Sequence, residues 1–320
     1  MSTTTENPPE VAAAAPRRRP PTLPRLLLAD RVAVVAAVVL FLAALCAAFG
    51  PLLLGEAARR QDLGLSRLPP LSFDQLGWLG LLGTDPLGRS VLARLVVASA
   101  TTFSVALPTV LLAMLIGAAI GMWAGFHRGR RETVAMRIAD VIMSFPSLLL
   151  AVVVLYVFDP GVATIVAVLT ITRIPVFLRT ARAESAELQR RGFVDAARTF
   201  GTPSGQIIRR HVLPVILPTL LTVATLDFCY VTLAESSLSF LGIGIQPPQV
   251  SWGLMVAEGR TYLRTAWWLS FFPGLAIVLT TVSATVLSAW VRLATDPAQR
   301  WRLTTGGAKK HTPTIEGGVA

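Results

Sequence analysis

Few side chains in this 320-residue chain are placed to do covalent chemistry. Its two cysteines, Cys46 and Cys229, each sit inside an apolar run with no Cys or His at metal-ligand spacing, so neither a disulfide framework nor a zinc site is indicated. His127, His211 and His311 are scattered singly and form no catalytic cluster. No Gly-x-x-x-x-Gly-Lys-Ser/Thr sequence is present, so nucleotide phosphates would have to be held by another chain. What remains are carboxylates within apolar stretches: Asp140, Asp227 and Glu235. Ionisable groups at membrane depth are expensive and face a partner or a water-filled cavity. Asp140 follows Arg137 by one turn, which predicts a local pair. Asp227 and Glu235, two turns apart, share one helix face that either lines a solute path or hydrogen-bonds to neighbouring helices and loop backbone.

A different task, docking, is written in the segment Asp195-Ala196-Ala197-Arg198-Thr199-Phe200-Gly201, followed after nine residues by His211-Val212-Leu213-Pro214. Phe193, Ala196, Ala197 and Phe200 recur at helical spacing. Gly201 accepts the left-handed conformation that ends helices, and Thr202 and Pro203 suit the cap and first turn of another. Two short helices therefore meet at a bend. The small Ala196 and Ala197 suit close docking into another protein's groove; a basic helix resting on the membrane surface fits the periodicity equally.

The elements that carry these residues follow from hydropathy. The chain is 53% hydrophobic and 15% charged, with a mean hydropathy of +0.62, where a soluble domain carries about 25% charged residues. Crossing about 30 Å of hydrocarbon takes about 20 apolar helical residues. Six runs qualify, at about 32–54, 103–126, 136–158, 162–178, 212–240 and 266–291, so the expected fold is an all-α membrane protein of six transmembrane helices within residues 25–300. The first run follows Arg17, Arg18, Arg19 and Arg25 as a secretory signal would, yet it exceeds signal-peptide length and reads as a retained anchor. With the amino terminus inside, twenty Lys and Arg residues fall on inner segments and seven on outer ones, which predicts both termini cytoplasmic. The net charge of +11 thus reads as basic inter-span loops rather than as a nucleic-acid surface. The tails at 1–24 and 301–320 are expected to be disordered, and 179–211 forms a long polar inner loop. Gly117, Gly121 and Gly125 are spaced for close helix packing, and Pro146 and Pro175 are expected to bend or break their helices. Pro247, Pro248 and Trp252 suggest a rigid platform or interface anchor on the outer side.

Taken together these stretches resemble the permease subunits of bacterial ATP-binding cassette (ABC) importers. The segment from Asp195 to Pro214 is similar to their cytoplasmic Glu-Ala-Ala…Gly…Leu-Pro signature. Three others resemble the dipeptide, oligopeptide and nickel subfamily, second permease subunit type: Gly83-Thr84-Asp85-Pro86-Leu87-Gly88-Arg89, Phe145-Pro146-Ser147, and the run from Glu235 to Pro248 with Ser251-Trp252-Gly253. The likeness covers about residues 30–300. Asp195 replaces the usual Glu, Ser90 stands where Asp is common, and Asp227 is unexpected. The resemblance implies a type I ABC importer permease fold in the bacterial cytoplasmic membrane. It implies an ATPase-coupling role for Asp195, Ala196, Ala197, Phe200, Gly201, His211, Leu213 and Pro214, and contact of Gln246, Pro247, Pro248 and Trp252 with an external solute-binding protein. The implied partners are a homologous permease, giving a heterodimer, and two ATP-binding subunits or a fused one. Those subunits would carry ATP and Mg; this chain would be non-catalytic and hold no cofactor. Peptide is the expected solute, with nickel chelates, glutathione or another small solute as alternatives. An ion-driven secondary transporter would show internal repeats, which are not visible, and a membrane enzyme would need the catalytic cluster that is missing.

Overall fold

The computed structural model describes residues 27–28, 30–127 and 129–295, and its regular structure there is helical. The two tails read from the sequence lie outside the described residues. In chain order the helices of eight residues or more are α1 (Arg31–Arg59), α2 (Val91–His127), α3 (Arg130–Ser144), α4 (Ser147–Val157), α5 (Val162–Leu188), α6 (Gly192–Thr199), α7 (Ser204–Phe240), α8 (Trp252–Gly259) and α9 (Trp268–Thr295). Five of them, α1, α2, α5, α7 and α9, are long and apolar enough to cross a membrane, and the pair α3–α4 makes a sixth if it is one span. Its two halves meet at 79°, where Phe145 and Pro146 interrupt the helix. Proline removes a backbone donor and crowds the preceding turn. Pro175, by contrast, lies inside an unbroken α5.

Several helices outrun the expected spans. α1 continues to Arg59, α2 starts at Val91, and α5 runs to Leu188 through residues that the sequence assigns to a polar loop. The α5 extension is helical because its arginines have partners: Arg182 is paired with Glu132, and Arg179 with Asp140 at 2.5 Å. Asp140 therefore reaches across to α5 rather than pairing locally with Arg137, which corrects the sequence expectation.

Side chains pointing outward from α1, among them Val35, Val38, Phe41 and Leu42, are exposed and apolar, as a lipid-facing surface requires. Inside, α2 packs on α1, α5 and α7, and α7 packs on α9. At the α2–α5 contact, a Cβ added to Gly117, Gly121 or Gly125 would lie 2.6, 2.3 or 2.5 Å from the carbonyl oxygens of Ile174, Leu178 and Arg182. The register rises together on both helices, so they run in the same direction. Ser288 Oγ donates to the Thr222 carbonyl and Cys229 Sγ to that of Thr281, which sets α7 and α9 antiparallel.

Overpacking a closed helix contact costs about 1–3 kcal/mol or more. Gly121→Leu is expected to cut the yield of monodisperse, detergent-extracted protein severalfold. Gly274→Leu in α9, where an added Cβ meets nothing within 4 Å, should extract like the parent. Equal yields would mean that the α2 and α5 backbones do not touch.

Candidate functional site

Three places gather the residues singled out in the sequence: a helix beyond the C-terminal end of α2, a polar seam between the long helices, and a knot at the opposite end of α2.

Helix α6 forms the first. Only Val194 on it is fully buried, with Ala197 half-buried against the core. Arg198 lies over the Phe126 ring at 4.9 Å, and Gln189 donates to the Phe126 carbonyl at 2.7 Å, so the end of α2 buttresses the chain on both sides of the turn into α6. Phe193 sits 6.2 Å from His211. The remaining apolar side chains face outward: Phe200 is 88% exposed, and Phe193, Asp195 and Ala196 are exposed too. Gly201 adopts φ +76°, its N–H bonds to Arg198 and that of Thr202 to Ala197, a left-handed helix stop. The chain then re-enters the bundle as α7. A π-helical turn at Ile208–Val212 precedes Pro214; the Leu213 N–H goes to the Ile208 carbonyl, widening the turn ahead of proline's missing donor. Val212 is buried, Leu213 half-buried, and His211 and Pro214 are exposed. Sequence spacing found the bend; of the four residues at helical spacing, Phe193, Ala196 and Phe200 are exposed, whereas Ala197, expected beside Ala196 on the docking surface, packs against the core. The spacing missed Val194, the residue that anchors the helix, because one valine carries no periodic signal.

The seam lies between α5 and α7, two of the helices long and apolar enough to cross a membrane. Asp227 is 3% exposed and paired with Arg173 of α5, whose Nε donates to Oδ1 at 2.6 Å. The Arg173 guanidinium stacks on Tyr230 at 4.1 Å, and the Tyr230 hydroxyl is 2.5 Å from Ser147 Oγ at the start of α4. Glu235, for which the sequence left open a solute path or hydrogen bonding to neighbouring helices and loop backbone, is fully buried. Ser239 Oγ donates to Glu235 Oε1 at 2.7 Å and accepts from the Ile245 N–H, so Glu235 ties α7 to the loop after it and faces protein, not an opening. The place of Arg173 opposite Asp227, 54 residues on, is a tertiary fact with no local signature.

At the knot around the start of α2, Asp85 is buried and accepts from the N–H groups of Leu87 and Arg89, from Arg89 Nε and from Arg94 Nη1. Arg94 continues to Glu258 of α8 at 2.7 Å. Ser90 Oγ donates to the Leu79 carbonyl and accepts from Ala93 N, so the serine standing in for Asp caps α2. Trp252 is buried, donates to the Leu95 carbonyl at 3.0 Å and meets Phe103 edge-on. It is a core residue, not an outer platform or anchor. Gln246 donates to the Gly242 carbonyl, whereas Pro247 and Pro248 are exposed and line a groove of about 780 Å³ with Arg59, Arg94 and Glu258. Among the described residues no three His, Cys, Asp or Glu side chains gather as a metal site.

An apolar bundle with a short helix exposing apolar side chains at one end and a braced, grooved loop at the other defines a multi-helix membrane component. Residues 117–301 match the family described as binding-protein-dependent transport system inner membrane component, and the chain belongs to that family, whose members sit in the bacterial inner membrane. It is 35% identical over 260 residues to a permease protein of Brucella suis named for peptide transport, covering 81% of this chain and 86% of that one. It is also 35% identical to the dipeptide transport system permease protein of Bacillus subtilis (85% and 83% covered) and 33% identical to a di/tripeptide transport system permease protein of Pseudomonas aeruginosa (81% and 85%).

Removing one partner of a buried ion pair costs about 3–5 kcal/mol, and removing a helix N-cap about 1 kcal/mol. In thermal unfolding of the purified chain, Asp85→Ala is expected to lower stability well beyond Ser90→Ala. The reverse order would show that the knot is not held by its charges.

Proposed function

We propose that this chain is one of two permease subunits of an ATP-driven importer that carries peptides across the cytoplasmic membrane, with α6 as the element through which an ATPase subunit moves it. The observation that carries this reading is the geometry of α6. It is held by Val194 and the Arg198–Phe126 contact while it turns Phe193, Ala196 and Phe200 away from the protein. A helix rooted on one side and apolar on the other is suited to a groove on a neighbour. Family membership supports a partner that hydrolyses ATP and a solute-binding protein that delivers cargo. ATP and Mg would be bound by that partner.

The parallel course of α2 and α5 supports a count of six crossings. Two consecutive long helices can point the same way only if the chain between them returns, and α3–α4 is that return. Counted so, α1 starts and α9 ends on the side of α6, and the basic inter-span segments favour a cytoplasmic position for that side and for both termini. Peptide is the solute class because relatives sharing about a third of residues over most of both chains are named for peptide transport. Pro247 and Pro248, on the groove rim at the far end, are the contact proposed for the solute-binding protein. The second permease would lie against the remaining open face of the bundle.

Phe200→Asp tests the coupling role. A surface substitution changes stability by less than about 0.5 kcal/mol, whereas losing an interface anchor costs about 2 kcal/mol or more. The variant should unfold like the parent, co-purify with ATPase at least about tenfold less well, and fail in peptide uptake. Undiminished co-purification and uptake would remove the assignment.

A further inference from the structure

The long helices of this bundle are joined at membrane depth by one ion pair whose geometry is half-made. Arg173 sends both Nε and Nη2 to the same oxygen of Asp227, Oδ1, while Asp227 Oδ2 is buried with no hydrogen-bond partner. A guanidinium and a carboxylate that only braced two helices would be expected to meet through two parallel bonds. Here the acid is enclosed and the Arg173 side chain keeps 17% of its surface open. Tyr230 backs the guanidinium plane and fixes its direction. The Tyr230 hydroxyl leads to Ser147, the first residue of α4, where the membrane-crossing pair α3–α4 is broken. No side chain caps the start of α4, and the flanking Phe145 and Pro146 are exposed. A helix start presents N–H donors and the positive end of the helix dipole, and interrupted membrane helices use such starts to hold anionic groups of a solute.

The geometry points to a carboxylate-binding station at the break between α3 and α4, where Arg173, the Ser147 hydroxyl and the open N–H groups of α4 receive a carboxylate of the passing solute. Asp227 and Tyr230 are positioning residues: the first keeps an otherwise prohibitive arginine at membrane depth, the second sets the plane of its donors. Three elements, α4, α5 and α7, contribute, so the station would open and close with their relative motion. This rests on the importer reading above and names the solute group that the chain itself handles, a free carboxylate such as a peptide's C-terminus.

The test uses the assembled importer in proteoliposomes with the dipeptide Ala-Phe and its C-terminal amide. The charge-neutral double variant Arg173→Gln with Asp227→Asn removes the station without leaving a lone charge. The parent is expected to prefer the free acid, and the double variant to lose that preference by about tenfold while ATPase assembly persists; Arg173→Lys should retain part of it. Equal loss of acid and amide uptake, or an unchanged preference, would overturn the station in favour of a packing role. Should the parent take up neither compound, the peptide reading fails instead, and a second measurement decides the station. Thermal stabilisation of the importer by N-acetylalanine, set against N-acetylalaninamide, is expected for the parent and lost in the double variant. No difference between the two probes, or the same difference in both proteins, overturns it.

Discussion

Backbone contact between α2 and α5 is the constraint from which the rest of this bundle follows. Three glycines at one-turn spacing let two helices approach until carbonyl oxygens of one occupy the space where Cβ atoms of the other would be. Lipid offers apolar side chains no reason to leave it, so such close packing, and not the exclusion of water, holds membrane helices together. The contact is reinforced where side chains return to it: Ser185 Oγ donates to the Met122 carbonyl at 3.1 Å, and Gln189 to that of Phe126. α2 and α5 thereby behave as one rod, and α6 hangs from its inner end.

Charge is disposed around that rod. α5 alone presents Arg173 to Asp227 of α7, and Arg179 and Arg182 to Asp140 and Glu132 of α3. One pair joins α5 to α7, and the broken span leans on α5 through the other two. The exposed Arg179–Asp140 pair holds little by itself. The enclosed Arg173–Asp227 pair is different, because neither group tolerates apolar surroundings alone. At the far end Asp85, Arg94 and Glu258 join the outer loop, the start of α2 and α8. Movement imposed at α6 thus has a stiff route to the outer knot along α2, and a route to the polar seam along α5.

Much of this was legible in the sequence. Long apolar runs located the helices, the glycine stripe announced a close crossing, and Gly201 marked the bend after α6. The sites that were misjudged share one physical cause: the deciding partner is distant in the chain. Asp140 has Arg137 a turn away, yet geometry gives it Arg179. Trp252, beside two prolines in an outer loop, reads as an interface aromatic until Phe103 and the Leu95 carbonyl close over it. Residues 179–188 read as loop because they are polar, but arginines with acids opposite can extend a helix past the apolar run. The two prolines are equally silent locally: one breaks its helix at Pro146, and the other is carried within α5.

The central claim is that α6 and the outer end of α5 move as one body. Electron–electron resonance between spin labels at Ala163→Cys and Thr199→Cys, both exposed positions, measures it directly in the assembled importer after Cys46 and Cys229 are replaced by alanine. Between the nucleotide-free and ATP-trapped states the separation should stay within about 2 Å, while the distance from Thr199→Cys to a label on the proposed second permease changes by about 5 Å or more, the scale of rigid-body shifts and one-turn steps. A change between Ala163→Cys and Thr199→Cys as large as the one between subunits would mean that α6 swings on a hinge, and the account would be wrong.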